Sequence, residues 1–215
     1  MKNSFLIGLC VILIAIGAIG FLRMNQESGD AASTNESQMA TSTADPNEPI
    51  WSPTTDGTDS LSAGGSSFSD PEGVYTFLYP NDYTLDTQNN GQYTRIYKQG
   101  PTQRGQTEMY DGVLMVFELI DLQGKSLEDW VDTRIQDSTA DGTIEVTQPK
   151  TATTLQSYPG FTYEVRGLGS STHLVVQKDG ESNNAVDITF LVADPEGVGF
   201  QGEVDRVLST LELHK

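Results

Sequence analysis

An unbroken apolar run near the start of the sequence constrains its fold more than any other feature. The run extends from Phe5 to Leu22, and its 18 residues include no charged side chain. In a helix that rises about 1.5 Å per residue it spans roughly 27 Å, close to the hydrocarbon thickness of a bilayer. Because a backbone inside lipid must satisfy its own hydrogen bonds, the run predicts one transmembrane helix after a short cytoplasmic tail, residues 1–4.

The same run has a second interpretation as a cleaved signal peptide. Small residues ending at Gly17 and at Gly20 have a spacing that a signal peptidase accepts. The apolar stretch is longer than the usual hydrophobic region of a signal peptide, and Phe21 and Leu22 continue it past both sites. We therefore expect an uncleaved anchor, with cleavage as the alternative.

Charges beside the run indicate its orientation. Lys2 and the free amino terminus precede it, and Arg23 follows it directly. A short amino-terminal tail is retained readily, so we predict a single-pass protein of the cell membrane whose carboxy-terminal domain lies outside the cytoplasm. Cys10 is the only cysteine, and disulfides therefore give no independent indication of the compartment.

Residues 23–69 have the composition of a linker. They are rich in Ser, Thr, Asn, Gly, Asp and Pro, and their main large apolar residues are Ile50, Trp51 and Leu61. Such a segment buries too little apolar surface to offset the entropy that it would lose on ordering. We predict a disordered acidic linker, in which Ile50 and Trp51 are either a short docking motif or an incidental apolar pair.

Residues 70–215 are long enough for one globular domain, and their hydrophobic pattern predicts mostly strands. Asn90 and Gly91 predict a type I′ hairpin turn. The nearly all-apolar run Val113–Phe117 predicts a central strand that is covered on both faces. The other predicted strands are Val74–Tyr79, Phe161–Val165, Leu174–Val176 and Val186–Val192, and the last three are expected to form an antiparallel meander.

Two helices are predicted from apolar residues at helical spacing. Ser126, followed by Glu128 and Asp129, is a capping signal for the first helix. The apolar face of that helix comprises Leu127, Trp130, Val131 and Ile135, and the face of the second comprises Phe200, Val204, Val207, Leu208 and Leu211. We expect both faces to pack against the core, with Trp130 largely buried.

No motif of a known catalytic or metal site is present in the sequence. His173 and His214 are the only histidines, and we interpret them as strand or surface residues and not as general bases. The segment Gly167–Ser171 predicts a hairpin connection. Asp-Pro-Glu-Gly-Val at 70–74 recurs at 194–198 and has the pattern of a type I turn, with calcium binding by its carboxylates as the alternative. We therefore predict no catalytic, cofactor-binding or metal-binding residues and no cofactor.

The stretch Val74–Leu85 resembles the opening of PsbP-like domains, where a strand runs into Tyr-Pro and then an aromatic-containing segment. Val204–Leu213 resembles the final helix and short strand of that family, and Gly124–Leu127 resembles the residues that lead into its first helix. The resemblance covers residues 70–215 and indicates the PsbP/Mog1 superfamily in a membrane-anchored bacterial protein. It implies an α+β fold in which helices flank an antiparallel β-sheet, as an α-β-α sandwich.

The superfamily ranges from photosystem II extrinsic subunits to nuclear transport factors and bacterial lipoproteins, so the resemblance implies no single function. The chain carries 12 basic and 30 acidic residues, a net charge of −18 that repels nucleic acid and anionic lipid headgroups. We predict membrane contact through the amino-terminal helix, a protein or envelope partner and no nucleic-acid partner.

The predicted function is therefore a membrane-tethered, extracytoplasmic binding or assembly module that is not an enzyme. Two alternatives follow from the same sequence. The first is a domain that binds a small ligand or a divalent metal ion. The second is a hydrolase, which would require a pocket that joins His173 to an acid and a hydroxyl.

Overall fold

The computed structural model describes residues 65–104, 108–167, 169–180 and 182–214. The predicted transmembrane helix and residues 23–64 of the predicted linker lie outside the described residues and stay predictions. Neither helix in the described ranges combines the length and the hydrophobicity that a bilayer crossing requires.

The described residues form ten strands and two α-helices. The strands of the first half are β1 (Gly65–Ser69), β2 (Tyr75–Pro80), β3 (Thr84–Gln88), β4 (Tyr93–Gln99) and β5 (Gly112–Asp121). After helix α1 (Leu127–Thr139) come β6 (Glu145–Leu155), β7 (Tyr158–Arg166), β8 (Ser170–Gln177) and β9 (Asn184–Ala193). Helix α2 (Phe200–Leu208) and the short β10 (Glu212–Leu213) complete the chain.

The strands form two antiparallel sheets. The large sheet has seven strands in the order β3-β4-β5-β9-β8-β7-β6, and the small sheet has three in the order β1-β2-β10. The meander that the sequence predicted from Phe161 onward is confirmed as β7-β8-β9. Antiparallel sheets with two helices also confirm the predicted α+β class in its coarse form.

The two faces of the large sheet pack against different elements. On one face, Val113, Met115 and Phe117 of β5 lie in a core with helix α2 and the small sheet. On the other face, Ile120 of β5 lies in a second core with helix α1. Alternate residues of one strand thus contribute to two cores, because successive side chains of a strand point to opposite faces.

The folded part begins earlier than the sequence predicted. Residues 65–69, assigned to the linker, form β1 and pair with β2 from Gly65↔Pro80 to Ser69↔Thr76. Phe68 is buried and its ring lies 5.3 Å from the ring of Phe77. Phe68 is a single apolar residue among serines and glycines, which gives a weak sequence signal for a strand. Its burial depends on the pairing of β1 with β2, which the composition of residues 65–69 does not indicate.

The β3–β4 hairpin forms where it was predicted, but its turn is not the predicted type I′. Gln88 pairs with Tyr93, so four residues connect the strands, and Asn89–Gly91 form a 3-10 turn. The positive φ angles are at Asn89 (52°) and Gly91 (90°). A type I′ turn would require them at Asn90 and Gly91, which are the two central residues of a two-residue loop.

Both helices form as predicted, with two corrections: Leu211, assigned to the face of the second helix, is buried but follows the end of α2 at Leu208, and Trp130 of α1 is less buried than expected. The Ser126 hydroxyl accepts a hydrogen bond from the Asp129 amide at 3.1 Å and so caps α1. Leu127 and Val131 are buried, whereas Trp130 is only half-buried and lies beside the guanidinium of Arg134, 5.9 Å from the ring centre. The stripe of four apolar residues is wider than the face that α1 buries, and Trp130 lies at its margin.

Candidate functional site

The large sheet brings His173 together with an acid and a hydroxyl. His173 lies on β8, and its neighbours Asp187 and Thr189 lie on the adjoining strand β9. The His173 Nδ1 atom is 3.2 Å from Asp187 Oδ1 and 3.1 Å from Thr189 Oγ1. The ring of Tyr163 on β7 stacks on the imidazole with 4.6 Å between ring centres. The Asp187 carboxylate is buried, and these contacts supply the polar partners that a buried charge requires.

A second charged pair lies beside these residues. Glu118 on β5 is the cross-strand partner of Asp187, and Arg134 of α1 donates to Glu118 Oε2 at 3.2 Å. Burial raises the pKa of Glu118, while Arg134 lowers it and the negative charge of Asp187 raises it further. Burial also raises the pKa of the Tyr163 hydroxyl. We name His173, Asp187, Thr189, Glu118 and Arg134 the polar cluster.

The polar cluster lacks the geometry of a hydrolase triad. In a triad, the carboxylate binds one ring nitrogen of the histidine and the nucleophilic hydroxyl meets the other nitrogen. In the cluster, Asp187 and Thr189 both approach Nδ1. His173 therefore cannot accept the Thr189 proton on one nitrogen while Asp187 orients it through the other. The arrangement suits an interior hydrogen-bonded cluster that connects β8 to β9.

The other histidine and the predicted glycine-rich connection have simple structural positions. His214 follows β10, and its Nε2 is 3.1 Å from Thr76 Oγ1 on β2. Gly167 donates to the Gly169 carbonyl at 2.9 Å within the connection between β7 and β8. The predicted hairpin connection is thus confirmed, and neither feature adds a reactive group to the polar cluster.

Both copies of the Asp-Pro-Glu-Gly-Val repeat form turns that their first aspartate closes. Gly73 and Gly197 donate to the carbonyls of Asp70 and Asp194, which confirms the predicted turns. The Asp194 carboxylate also accepts hydrogen bonds from the amides of Val198, Gly199 and Phe200, and its pKa is lowered, chiefly by the bond from Gly199. Among the described residues, no group of three His, Cys, Asp or Glu side chains has the geometry to hold a metal ion.

The α1 side of the large sheet includes a half-exposed area beyond the helix. Helix α1 contacts β6 and β7 at one end of the sheet. Towards the other end of the sheet, the same side carries large side chains that are only half-buried. We name these residues the open face: Tyr93, Arg95 and Tyr97 on β4, Leu114 and Val116 on β5, and Leu191 on β9.

Strand register places the residues of the open face side by side. Tyr97 is opposite Leu114, which in turn is opposite Leu191, and Arg95 is opposite Val116. Cross-strand partners point to the same side of a sheet, so these side chains form one continuous surface of aromatic and aliphatic groups. The open face adjoins the polar cluster, since Val116 is the cross-strand partner of Thr189.

The positive charges of the open face are held in place by acids at its border. Arg95 makes an ion pair with Asp86 on the edge strand β3 at 2.6 Å, and its guanidinium lies 5.9 Å from the Tyr97 ring centre. Arg134 pairs with Glu118 on the opposite border. The face therefore presents apolar and aromatic groups between two arginines in a chain of strongly negative net charge.

The sequence predicted a different environment for this part of β5. It indicated that Val113–Phe117 would be covered on both faces, but Leu114 and Val116 are half-buried. A continuous apolar run is typical of a strand inside two cores, and equally of one with a core on one side and a binding surface on the other. The alternation of Tyr93, Arg95 and Tyr97 on β4 was the second available signal for this face.

Solved structures include a neighbour of this fold, whereas comparisons of sequence find no match. No protein-family model matches the sequence, and no curated protein matches it. The fold is similar to the solution structure of cyanobacterial PsbP (CyanoP) from Synechocystis sp. PCC 6803, with 14% sequence identity and a TM-score of 0.47 over 71% of this chain and 94% of that chain. Similarity of this degree assigns no function and no site residue to the present chain.

Proposed function

We propose that the protein is a membrane-tethered, extracytoplasmic binding or assembly module with no catalytic activity of its own. The open face is the observation that carries this proposal. Half-exposed Tyr and Leu side chains on adjoining strands provide apolar area at low entropic cost, and tyrosine is enriched at protein interfaces. The flanking arginines Arg95 and Arg134 suit a partner with acidic residues beside its apolar ones.

The partner that fits this surface is an extended protein segment with aromatic or aliphatic side chains and acidic flanks. A sheet face is nearly flat, so it accommodates an extended segment more readily than a small molecule, which needs a concave pocket. The charge of the chain opposes a nucleic-acid partner. The tether is the predicted helix at Phe5–Leu22, and the short tail with Lys2 before it supports an extracytoplasmic domain.

The hydrolase alternative receives little support from the polar cluster, because both partners of His173 share one ring nitrogen. The metal-binding alternative receives little support from the Asp-Pro-Glu-Gly-Val turns, because Asp70 Oδ2 and both carboxylate oxygens of Asp194 accept backbone amides. A metal-dependent shift in melting temperature would revive that alternative, and calcium and manganese are the ions to test.

Site-directed photo-cross-linking in intact cells tests the proposed function. We expect a photoreactive phenylalanine analogue at Tyr97 or at Leu114 of the full chain to give a discrete cross-linked product with another envelope protein. The matched control is the same analogue at Val198, which is 54% exposed in the loop before α2. Products of equal yield at Val198 and the open-face positions, or no product at either open-face position, would reject the open face as the binding surface.

A further inference from the structure

The chain enters the folded domain in the small sheet, on the α2 side of the large sheet and opposite the open face. Gly65 at the start of β1 pairs with Pro80, and the Ser66 hydroxyl donates to Asn81 Oδ1 at 2.7 Å. Pro80 is the last residue of β2, and Asn81 begins the connection that leads into β3, the edge strand of the large sheet. The residues that precede Gly65 therefore start near β3, and they reach the open face by passing around this edge strand.

Residues 45–56, which lie outside the described residues, have the composition of a segment that binds aromatic surfaces. The pair Ile50-Trp51 is placed between Pro49 and Pro53, and the acids of the segment are Asp45, Glu48 and Asp56. Proline fixes its own φ angle and disfavours helix in the residue before it, so the unbound segment is already biased towards extended conformations. Binding such a segment costs less ordering entropy, and aromatic-lined surfaces commonly recognise it.

The charges of the segment complement those of the open face. No lysine or arginine occurs between Arg23 and Arg95, so every charge in residues 45–56 is negative. Arg95 and Arg134 lie at the two borders of the open face, paired with Asp86 and Glu118, and each keeps side-chain exposure above 40% (43% and 42%). A guanidinium has five N–H donors, so each arginine can bind a second carboxylate, and an apolar pair between acids thus matches an apolar surface between arginines.

We propose that residues 45–56 bind the open face of the same molecule, with Ile50 and Trp51 on the side chains of Tyr97, Leu114 and Leu191. The chain length permits it. The residues from Trp51 to Gly65 extend to roughly 45 Å, whereas passing around the sheet edge takes about 10 Å and the distance from β3 to β9 is about 15 Å at 4.8 Å per strand. A tether of this length gives an effective concentration in the millimolar range, so a site with a dissociation constant below that range is mostly filled.

This intramolecular contact occupies the surface that the proposed function assigns to an external partner. A partner must displace residues 45–56 before it binds, and its apparent affinity is lowered by the fraction of molecules in which the segment is bound. The inference rests on the proposed function only for this consequence, because the segment can bind the open face whether or not an external partner exists.

Trp51 fluorescence of the full chain tests the inference. The chain has two tryptophans, so a Trp130→Phe variant reports on Trp51 alone. We expect the acrylamide quenching constant of the native variant to be lower than that in urea by about threefold or more, because a segment at millimolar effective concentration remains bound. Ile50→Ser and Leu114→Asp in the same background should each restore the quenching constant of the unfolded chain.

Val198→Asp is the matched control, since it adds the same charge outside the open face and should leave the quenching constant unchanged. Ile50→Ser lies outside the folded domain, so its result does not depend on whether Leu114→Asp folds. An equal quenching constant in buffer and in urea overturns the inference. So does protection that weakens on dilution, which would assign Trp51 to a second copy. If Trp51 is not protected from quenching but the analogue at Tyr97 still cross-links to another protein, this inference is rejected and the proposed function is retained.

Discussion

Lys98 connects three segments that are far apart in the sequence. Its Nζ atom is 2.9 Å from both Asp82 Oδ2 and Glu203 Oε1, and Glu203 lies on α2, 105 residues away. The Tyr83 hydroxyl donates to the other oxygen of Glu203 at 2.6 Å. The segment after Pro80 thus has a structural role, because Asp82 and Tyr83 help to position α2 against the large sheet.

We expect Lys98→Met to lower the free energy of unfolding by about 1–3 kcal/mol, because it leaves the half-buried Glu203 without its cation. Arg95→Met is the control: it removes the more exposed pair with Asp86 and should cost about 1 kcal/mol or less. Urea unfolding of both variants, with Glu203→Gln to complete a double-mutant cycle, measures the difference. Equal losses for Lys98→Met and Arg95→Met would contradict a special role for Lys98.

Glu118 should make stability depend on pH. Its pKa is raised by burial in the folded chain, so the folded state binds the proton more tightly than the unfolded state does. The free energy of unfolding should therefore fall as the pH rises from the ordinary glutamate pKa through the raised pKa of Glu118. In a Glu118→Gln variant this decrease should be smaller, and urea unfolding from pH 4 to 8 measures it. Superimposable pH profiles would show that Glu118 does not contribute.

At the scale of elements, α1 and α2 bury their apolar faces to different extents. Phe200, Val204, Val207 and Leu208 of α2 are all buried, whereas in α1 only Leu127 and Val131 are buried. Lys150 of β6 compensates in part, since it pairs with Glu128 and Asp132 of α1 at 3.1 and 2.6 Å. Helix α2 is therefore an integral part of the main core. Helix α1 buries fewer apolar side chains, and the ion pairs of Lys150 at its exposed side contribute more to holding it on the sheet.

We expect Phe200→Ala in α2 to cost about 3–5 kcal/mol of unfolding free energy, the range for a buried phenylalanine. Trp130→Ala in α1 should cost less, about 1–3 kcal/mol, because Trp130 is half-buried and its truncation leaves a smaller cavity. Chemical unfolding of the two variants gives the comparison. A loss at Trp130 equal to that at Phe200 would indicate that α1 packs more closely on the sheet than its exposure implies.

At the scale of the whole molecule, β1 determines where the folded domain begins. A fragment of residues 65–215 should unfold cooperatively, because both cores lie within it. A fragment of residues 70–215 lacks Phe68, which is 8% exposed in the main core, and should be less stable by about 3–5 kcal/mol. Thermal unfolding of the two fragments tests the boundary. Equal melting temperatures would show that β1 is not part of the folded domain.

The predicted topology is testable in cells. Protease added to intact cells or spheroplasts should remove the folded domain, since we place it outside the cytoplasmic membrane. Amino-terminal sequencing should show that Phe5–Leu22 is retained. Complete protection of the domain would contradict the orientation, and a sequence that starts after Gly17 or Gly20 would identify a signal peptide instead.

Local patterns in the sequence determined most of the elements. The hydroxyl of Ser126, the apolar spacing of α2 and the Asp-Pro-Glu-Gly turns act over a few residues, and each formed as the sequence predicted. Tertiary structure alone decided the strand pairings that no hairpin connects, such as β5 with β9 and β2 with β10. Tertiary packing buried Phe68, brought Asp187 and Thr189 to the same nitrogen of His173, and left Leu114 only half-buried. The hydrophobic period of a strand identifies its apolar face. Whether other elements pack on that face depends on the order of the strands and on the position of α1.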